Sequence, residues 1–319
     1  MTQTTVIIPA WNAEATIARS IRSAAEQGDV EIMVADDAST DGTVAVARAT
    51  GRAQVLTTPT NGGPSAARNR AIAAAKGTWL AVLDADDALV SGAIDRVVVL
   101  AGEIEADVML MNLQRVGPRG NPVENRPFLD LDPESPPKPM TMSAFVTGNH
   151  GRPGERSLGY LKPLFRRKFL DDHSIRYDET LRNGEDTHLV LECLAAGARV
   201  FVSPQPDYIY TVRPGSISYR VDPAHLEALV VADDRFVDRH RARLSAEDHA
   251  LFVTRRRALV RIRVTEEILQ ALKHRRPGMA IRRLWAHPAA SGRLLYQLGE
   301  ATMKRIRPKS RLVPHQTER

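Results

Sequence analysis

The chain has 319 residues, of which 43% are hydrophobic and 26% are charged, and this ordinary globular composition excludes wholesale disorder. A single cysteine, Cys193, excludes an intramolecular disulfide framework and a zinc site built from cysteines. No stretch reaches the roughly 18 consecutive apolar residues of a membrane-spanning helix, and the N-terminus reads as a strand rather than a secretory leader. We therefore expect a protein of the reducing cytoplasm.

The formal net charge of +6 is unevenly distributed along the chain. Residues 1–219 carry 22 Lys and Arg against 27 Asp and Glu, a net charge of −5. Residues 220–319 carry 22 against 11, a net charge of +11. This asymmetry predicts two regions with different partners, namely a domain over 1–220 that holds the chemistry and a basic helical region over 221–319.

The first 115 residues alternate short apolar runs with helical patterns. The predicted strands are Thr5–Pro9, Glu31–Asp36, Gln54–Thr57, Trp79–Asp84 and Asp107–Leu113, and the predicted helices lie near 13–26, 41–50, 65–76 and 92–105. The central strands lack polar alternation, as in strands buried on both faces, and strand–helix alternation predicts a parallel sheet with right-handed crossovers. Such a sheet binds ligands at the carboxyl ends of its strands.

The pattern changes after residue 116. Prolines and glycines crowd 117–139, which predicts an exposed loop. The later predicted elements are a helix near 141–147, a glycine-rich loop at 148–159, a strand at Gly159–Phe165, a helix near 183–196, and strands at Arg199–Ser203 and Tyr208–Val212. From residue 222 onward we predict two to four arginine-rich helices, one of which buries Phe252, Leu259, Ile262, Leu269 and Leu272 at helical spacing.

Three aspartates follow a predicted buried strand in the segment Leu83-Asp84-Ala85-Asp86-Asp87. Like charges this close repel one another, and a divalent cation would relieve the repulsion. Carboxylate oxygens are hard ligands that suit Mg²⁺ or Mn²⁺. The alternative is a turn in which an aspartate caps the next helix.

Two further polar segments open predicted helices. In Asp36–Gly42 an acidic side chain would accept hydrogen bonds from a ring N–H or a ribose hydroxyl, although helix capping by Ser39 or Thr40 is the simpler interpretation. In Asn61–Arg70 a glycine loop presents backbone N–H groups, and Arg68 adds a guanidinium for phosphate. A turn followed by a solvated arginine explains the second segment equally well.

Two segments in the later part of the domain also carry candidate groups. Asn183–Thr187 places carboxylates at a loop–helix junction, as a general base requires, although acidic residues are also common in the first turn of a helix. Tyr210–Ser218 is a polar turn after a strand, in which Arg213 would either close over a phosphate or face solvent.

In their order and spacing these motifs resemble the inverting glycosyltransferases of family 2, which have a GT-A fold. The motifs that carry the resemblance are Val6–Glu14, Asp36–Thr43, Asn61–Pro64 with Ala67–Asn69, Leu83–Asp87, Gly184–Asp186 and Arg213–Ser218. The resemblance spans about residues 4–220, and within Tyr160–Asp186 it is similar to bacterial exopolysaccharide enzymes of the succinoglycan type. It implies an α/β nucleotide-diphospho-sugar transferase fold with a mostly parallel central sheet, flanking helices and a helical C-terminal extension.

The resemblance also implies roles for individual residues. Those expected to contact the nucleotide-sugar donor are Pro9, Ala10, Trp11, Glu14, Asp37, Arg68, Asp84, Ala85 and Arg213. Among them Asp37 would recognise uracil and Asp84 the ribose. Asp86 would bind a divalent cation, Mg²⁺ or Mn²⁺, and Asp87 would share it.

Asp186 would be the catalytic base, taking the proton of an acceptor hydroxyl as it attacks the anomeric carbon. Many relatives carry His where Arg213 stands. Since arginine has no acceptor with which to ligate a metal, either Arg213 contacts the diphosphate directly or fewer protein groups hold the metal. The expected reaction transfers a sugar, glucose in the first instance, from a UDP-sugar to a lipid-linked oligosaccharide or polysaccharide acceptor in exopolysaccharide assembly.

Two other functions fit parts of the sequence. A sugar nucleotidyltransferase would need a glycine-rich signature with a lysine near the first strand, and residues 10–30 contain no lysine. An inert nucleotide-sugar binding or scaffold module would lack the base carboxylate, whereas Asp186 is present.

For the basic C-terminal region we expect peripheral attachment to an anionic membrane, and no nucleic acid, since no nucleic-acid-binding motif occurs. The arginines expected to face lipid are Arg255, Arg256, Arg257, Arg261, Arg275 and Arg276. A solvated helical face or a contact between subunits is the alternative.

Overall fold

Nine strands form one sheet in the computed structural model, which describes residues 4–150, 156–213 and 222–306. They are β1 (Thr4–Ala10), β2 (Val30–Asp36), β3 (Gln54–Leu56), β4 (Trp79–Val82), β5 (Ala88–Leu89), β6 (Val108–Val116), β7 (Lys138–Pro139), β8 (Lys162–Arg166) and β9 (Val200–Thr211). Their spatial order is β3-β2-β1-β4-β8-β6-β9-β5, and β7 pairs with β9.

The first four strands pair in parallel, as the strand–helix alternation predicts. Beyond β4 the sheet is mixed, because β8 runs antiparallel to both β4 and β6 while β6 and β9 are parallel. The strand predicted at Asp107–Leu113 is therefore separated from β4 by a strand from much later in the chain. Hydrophobic periodicity identifies a strand but carries no information on which distant strand becomes its neighbour.

Helices cover both faces of the sheet and extend beyond it. They are α1 (Ile17–Ala25), α2 (Thr43–Ala49), α3 (Pro64–Ala74), α4 (Ala93–Glu103), α5 (Met142–Thr147), α6 (Arg167–Asp172), α7 (Glu185–Ala195), α8 (Pro223–His240), α9 (Ala246–Lys273), α10 (Pro277–Ala286) and α11 (Ser291–Ile306). Local signals fix several of the starts: Pro64 occupies the first turn of α3, and Ser245 with Asp248 forms a capping box at α9.

Three features differ from the elements predicted by sequence. The two strands predicted at Arg199–Ser203 and Tyr208–Val212 are the single strand β9, whose central prolines lie opposite a register shift in β6. The Asn112 side chain, at that shift, donates to the Pro204 carbonyl oxygen at 3.0 Å. The strand predicted from Gly159 begins only at Lys162. The short elements α6, β5 and β7 were not predicted, because they are too short to show periodicity.

The C-terminal helices pack onto the sheet domain rather than standing apart from it. The rings of Phe236 in α8 and Phe252 in α9 lie 5.2 Å apart between centroids and belong to the main hydrophobic core. The predicted burial of Leu272 is wrong, since 44% of this residue is exposed. The predicted boundary at residue 220 lies outside the described residues and stays a prediction.

Arg255 does not face a membrane as the sequence predicted. It is buried, donates to Asp233 at 2.9 Å, and also donates to the Asn149 carbonyl oxygen. Arg256 pairs with Asp234 at 3.0 Å. None of the helices in the described part of the chain is long and apolar enough to cross a membrane.

Candidate active site

Two adjoining cavities open beside the carboxyl ends of β1, β2 and β4. The larger, of about 540 Å³, is lined by most of the residues predicted to bind the donor or its metal: Pro9, Ala10, Trp11, Asp37, Arg68, Asp84, Ala85, Asp86 and Arg213. The smaller, of about 400 Å³, is lined by Asp186. Arg68 and Asp84 line both, so the cavity bordered by Asp37 and Asp86 adjoins the cavity bordered by Asp186.

Asp84 and Arg68 form the wall between the two cavities. Arg68 is buried rather than solvated, and its guanidinium donates to Asp84 at 2.9 Å and to Glu185 at 2.7 Å. The Lys162 ammonium donates to the other oxygen of Asp84 at 2.6 Å. Burial by itself would raise the pKa of Asp84, but Lys162 and Arg68 outweigh it and lower the pKa to about 2. Asp84 is therefore ionised and rigidly held.

Asp186 is presented to the smaller cavity by the first turn of α7. Gly184 precedes this helix with a φ of +79°, and helix N-termini stabilise carboxylates. The Tyr177 hydroxyl donates to Oδ1 of Asp186 at 2.9 Å, while the Lys162 ammonium lies 3.5 Å from Oδ2. Burial raises the pKa of Tyr177, with Asp186 adding to the effect, so the phenol keeps the proton that it donates. The carboxylate is held from one side and borders the cavity on the other.

Asp37 is buried at the end of the larger cavity. Its two carboxylate oxygens accept hydrogen bonds from the backbone N–H groups of Gly62 at 2.9 Å and Gly63 at 2.7 Å. The glycine loop before α3 is therefore fixed by Asp37. Each carboxylate oxygen has a second lone pair, which leaves Asp37 able to accept a further hydrogen bond from a ligand.

Asp86 is a partly exposed carboxylate of the larger cavity. Its side chain is 26% exposed, and Arg213 pairs with it through Nε at 3.0 Å and through Nη2. Within the described parts of the chain, no group of three His, Cys, Asp or Glu side chains is arranged to hold a metal ion. Asp86 nevertheless fits the sparse kind of site in which Mg²⁺ is bound by one or two carboxylates and by phosphate oxygens of the substrate.

Two predicted site residues take structural positions instead. The Glu14 carboxylate accepts from the Gly42 N–H at 3.0 Å at the start of α2, and Glu14 does not line the larger cavity. Asp87 is buried behind the cavity wall, where it accepts from the Tyr208 hydroxyl and the Thr211 N–H, each at 2.7 Å. Burial, with Asp86 and Asp84 nearby, raises the pKa of Asp87 well above its usual range. Both side chains are thus engaged within the protein, and the donor contact at Glu14 and the metal ligand at Asp87 stay predictions.

Lys162, Tyr177 and Arg182 line or support the site and were missed by sequence reasoning. Lys162 lies in the run Leu161–Phe165, and a lysine inside a buried apolar strand is a signal, because a buried ammonium needs a carboxylate partner. Tyr177 and Arg182 lie in loops without a local signal. Arg182 lines both cavities and donates to the Asn61 side chain at 2.8 Å.

The C-terminal helices complete the smaller cavity. Leu229 of α8, together with Arg255 and Leu259 of α9, lines the same cavity as Asp186. The Pro214–Ser218 part of the last motif and part of the predicted loop at 148–159 lie outside the described residues.

Comparisons with known proteins agree with this geometry. The model of the family "Glycosyl transferase family 2" matches residues 5–163. The succinoglycan biosynthesis protein ExoU of Rhizobium meliloti is 36% identical over 98% of this chain and 92% of its own length. The succinoglycan biosynthesis protein ExoO of the same organism is 38% identical over 74% of this chain and 68% of its own length.

The fold is found in a solved structure as well. The Staphylococcus aureus TarS fragment 1–349, crystallised with UDP-GlcNAc, superposes with a TM-score of 0.59 at 20% identity, over 90% of this chain and 92% of that one. The cavities therefore lie in a GT-A fold. The chain belongs to glycosyl transferase family 2 and is related to the glycosyltransferases of succinoglycan biosynthesis.

Proposed function

We propose that this enzyme transfers a sugar, with glucose as the first candidate, from a UDP-sugar to a hydroxyl of a lipid-linked oligosaccharide or polysaccharide, with inversion at the anomeric carbon. One observation carries the proposal: the cavity bordered by Asp37 and Asp86 adjoins the cavity bordered by Asp186, and Arg68 and Asp84 form their common wall. A donor lying across that wall would have its nucleotide in one cavity and its sugar in the other. The UDP-GlcNAc complex of TarS supports a uridine nucleotide, and the two succinoglycan relatives support a glycan acceptor.

Asp186 acts in this proposal as the base. Its Oδ2 takes the proton of the acceptor hydroxyl while the hydroxyl oxygen forms a bond to the anomeric carbon and the bond to the diphosphate breaks. UDP leaves with the electron pair, and the proton ends on Asp186. A positioned base of this kind contributes about 10²- to 10⁴-fold in rate.

The leaving diphosphate needs charge neutralisation rather than protonation. Arg213 and Arg182 are the cations that border the donor cavity without being buried. Asp86 would hold a divalent cation together with the diphosphate oxygens, and that cation would stabilise the negative charge of the departing UDP. Its ion pair with Arg213 would then open, which frees the guanidinium for phosphate.

The acceptor enters through the smaller cavity, between the turn that bears Asp186 and helices α8 and α9. We propose residue 220 as the boundary between the two regions of the chain. Residues from both regions line the cavity proposed for the acceptor. A lipid-linked acceptor lies at a membrane, and the net positive charge of residues 220–319 supports peripheral attachment there.

The test is UDP release by the purified protein with UDP-glucose, UDP-galactose and UDP-GlcNAc, with Mn²⁺ or Mg²⁺ and a lipid-linked oligosaccharide. We expect Asp186→Asn to bind donor normally in calorimetry and to lose about 10²- to 10⁴-fold in kcat. Asp172→Asn, at an exposed aspartate of α6, is the control and should leave kcat unchanged. Wild-type turnover by Asp186→Asn would refute the base, and the absence of donor-dependent UDP release with all three sugars would refute the donor class.

A further inference from the structure

Helix α10 exposes large apolar side chains and buries a smaller one, and α11 also leaves a leucine exposed. In α10, Ala280 is buried while Ile281 and Trp285 are 59% and 84% exposed. In α11, Leu294 is buried while the adjacent Leu295 is 70% exposed. A helix that packs only to stabilise a fold turns its largest apolar residues inward. The reversed pattern indicates that these helices present an apolar surface to a partner.

We define the α10–α11 surface by its exposed residues. Its apolar members are Met279, Ile281, Trp285, Leu295 and Tyr296, and its cations are Lys273, Arg275, Arg276 and Arg282. Both helices pack on the C-terminal half of α9 through the small cluster of Val264, Ile268, Ala271, Ala280, Ala290 and Leu294. Ile281 and Trp285 are four residues apart and so lie side by side on α10, with Arg282 next to them. The surface is therefore held on a folded support.

The charge on this part of the chain has a single sign. Residues 268–299 include six Lys and Arg and no Asp or Glu. Arg283 pairs with Glu267 at 3.1 Å, but no ion pair joins Lys273, Arg275, Arg276 or Arg282 to an acid within the described residues. Four uncompensated cations in the same stretch of chain as exposed aliphatic and aromatic residues complement a surface that is both anionic and apolar.

Arg275 adds an observation from the backbone. It follows the end of α9 with a φ of +58°, and the Arg276 N–H donates back to the Ala271 carbonyl oxygen at 2.8 Å. Glycine is the residue usually found at this position of a helix C-terminus, since other residues are strained there. The chain carries a cation at a position where the fold would favour glycine.

We infer that the α10–α11 surface lies on an anionic phospholipid membrane. Trp and Tyr prefer the membrane–water interface, and interfacial helices combine an apolar face with Lys and Arg. A second copy of this chain would bring like charges together, which disfavours self-association through the same surface. The inference deepens the proposed function, because it holds the enzyme beside a lipid-linked acceptor, but it is tested without any turnover measurement.

The experiment is sedimentation of the full-length protein with vesicles of phosphatidylcholine, with or without phosphatidylglycerol. We expect the wild type to bind the anionic vesicles, and binding to weaken as salt is raised. Ile281→Ser/Trp285→Ser should weaken binding by at least about tenfold. Val99→Ser, at an exposed apolar residue of α4, is the matched control and should bind like the wild type.

Two further variants separate membrane contact from folding. Arg275→Gly removes a cation while giving the turn the residue that it favours, and should weaken binding roughly fivefold, which corresponds to about 1 kcal/mol. Brominated lipids should quench the fluorescence of Trp285 in the wild type. Trp285→Phe should remain folded and show less quenching of its tryptophan fluorescence. Failure of the wild type to prefer anionic vesicles, or wild-type binding by the double variant, would overturn the inference. The inference would also be overturned if the wild type were a dimer in sedimentation velocity and the double variant a monomer. The surface would then be a contact between two copies of the chain.

Discussion

At the scale of single residues, the site depends on how buried charges are shared. Arg68 and Lys162 lie among Asp84, Glu185 and Asp186, and each cation contacts Asp84 together with at least one carboxylate of the smaller cavity. Burial by itself would lower the pKa of Lys162, but Asp84 and Asp186 raise it, so the ammonium stays charged. Lys162 is thus a positioning residue that links Asp84, which we propose to bind the donor, to Asp186, the proposed base.

Removing the Lys162 charge should affect both stability and catalysis. Lys162→Met leaves neighbouring buried carboxylates with one cation fewer, and we expect the free energy of unfolding to fall by about 3 kcal/mol. The KM for donor should rise and kcat should fall, with partial rescue by Lys162→Arg. Urea unfolding and UDP-release kinetics measure these effects. Lys168→Met, at an exposed lysine of α6, should change neither; a Lys162→Met variant with wild-type stability would show that the cluster does not need the charge.

The proposed binding of a metal by Asp86 can be measured without enzymatic turnover. Asp86→Asn removes the carboxylate that fits a cation with substrate phosphates, so we expect Mn²⁺ binding in the presence of UDP to weaken by at least about tenfold, which is about 1.4 kcal/mol. Electron paramagnetic resonance of free Mn²⁺ reports it directly. Asp132→Asn, in the exposed proline-rich loop, serves as the control. Equal Mn²⁺ binding by the wild type and Asp86→Asn would remove Asp86 from the metal site.

At the scale of elements, the start of α7 positions the proposed base. Gly184 adopts a left-handed φ of +79°, and a Cβ at this position would lie 2.7 Å from Cδ2 of Leu229 in α8. Glycine therefore satisfies the backbone turn and also permits the close approach of α8 to α7. Both properties favour glycine directly before the helix that carries Asp186.

Gly184→Ala should cost more than the left-handed backbone alone explains. We expect a loss of about 2–4 kcal/mol, the sum of backbone strain and overpacking against Leu229. The matched control is Gly197→Ala at the other end of α7, where φ is +90° and no atom lies within 4 Å of the added Cβ. It should cost about 1 kcal/mol. Thermal unfolding of the two variants measures both losses. Equal losses would mean that Leu229 and α8 move aside at no cost in free energy.

At the scale of the whole molecule, a buried ion cluster joins the catalytic domain to the C-terminal helices. Asp233 of α8 accepts from Arg255 of α9 at 2.9 Å and lies 3.0 Å from Nε2 of His188 in α7. Arg255 in turn donates to the Asn149 carbonyl oxygen, and Asn149 lines the smaller cavity. The helices that would carry the enzyme to a membrane are thus fixed to the wall of its active site.

Asp233→Ala should be strongly destabilising, by about 3–5 kcal/mol, because it leaves Arg255 buried without its carboxylate. Asp234→Ala, whose partner Arg256 is exposed, should change stability by less than about 0.5 kcal/mol. Burial alone would raise the pKa of Asp233, but Arg255 outweighs it and the pKa is lowered. A carboxylate whose pKa is lowered by folding stabilises the protein at a pH above its pKa in the unfolded chain, which is about 3.9. That stabilisation is lost as the pH falls through the pKa of the folded state. The difference between wild type and Asp233→Ala in urea unfolding should therefore be constant near neutral pH and shrink below about pH 4.

The amino-acid sequence by itself determined the parallel core and the ends of its strands. Buried apolar runs can be recognised directly in the order of the residues. The polar segments that follow β1, β2 and β4 lie at one edge of the sheet because parallel strands end at the same edge. That geometry is why Asp37, Asp84 and Asp86 were predicted together and are found on one cavity. The start of α7 carried its own glycine and acidic signal.

Only the tertiary structure decided which of several similar side chains faces the cavity. Asp86 borders it while the adjacent Asp87 turns into the core, because neighbouring side chains point in different directions and no local pattern tells which way the turn is oriented. Lys162 and Arg255 reach the site from β8 and α9, whose places are set by non-local pairing and helix packing. Long-range contacts of this kind depend on the whole folded chain, so spacing along the sequence does not contain them.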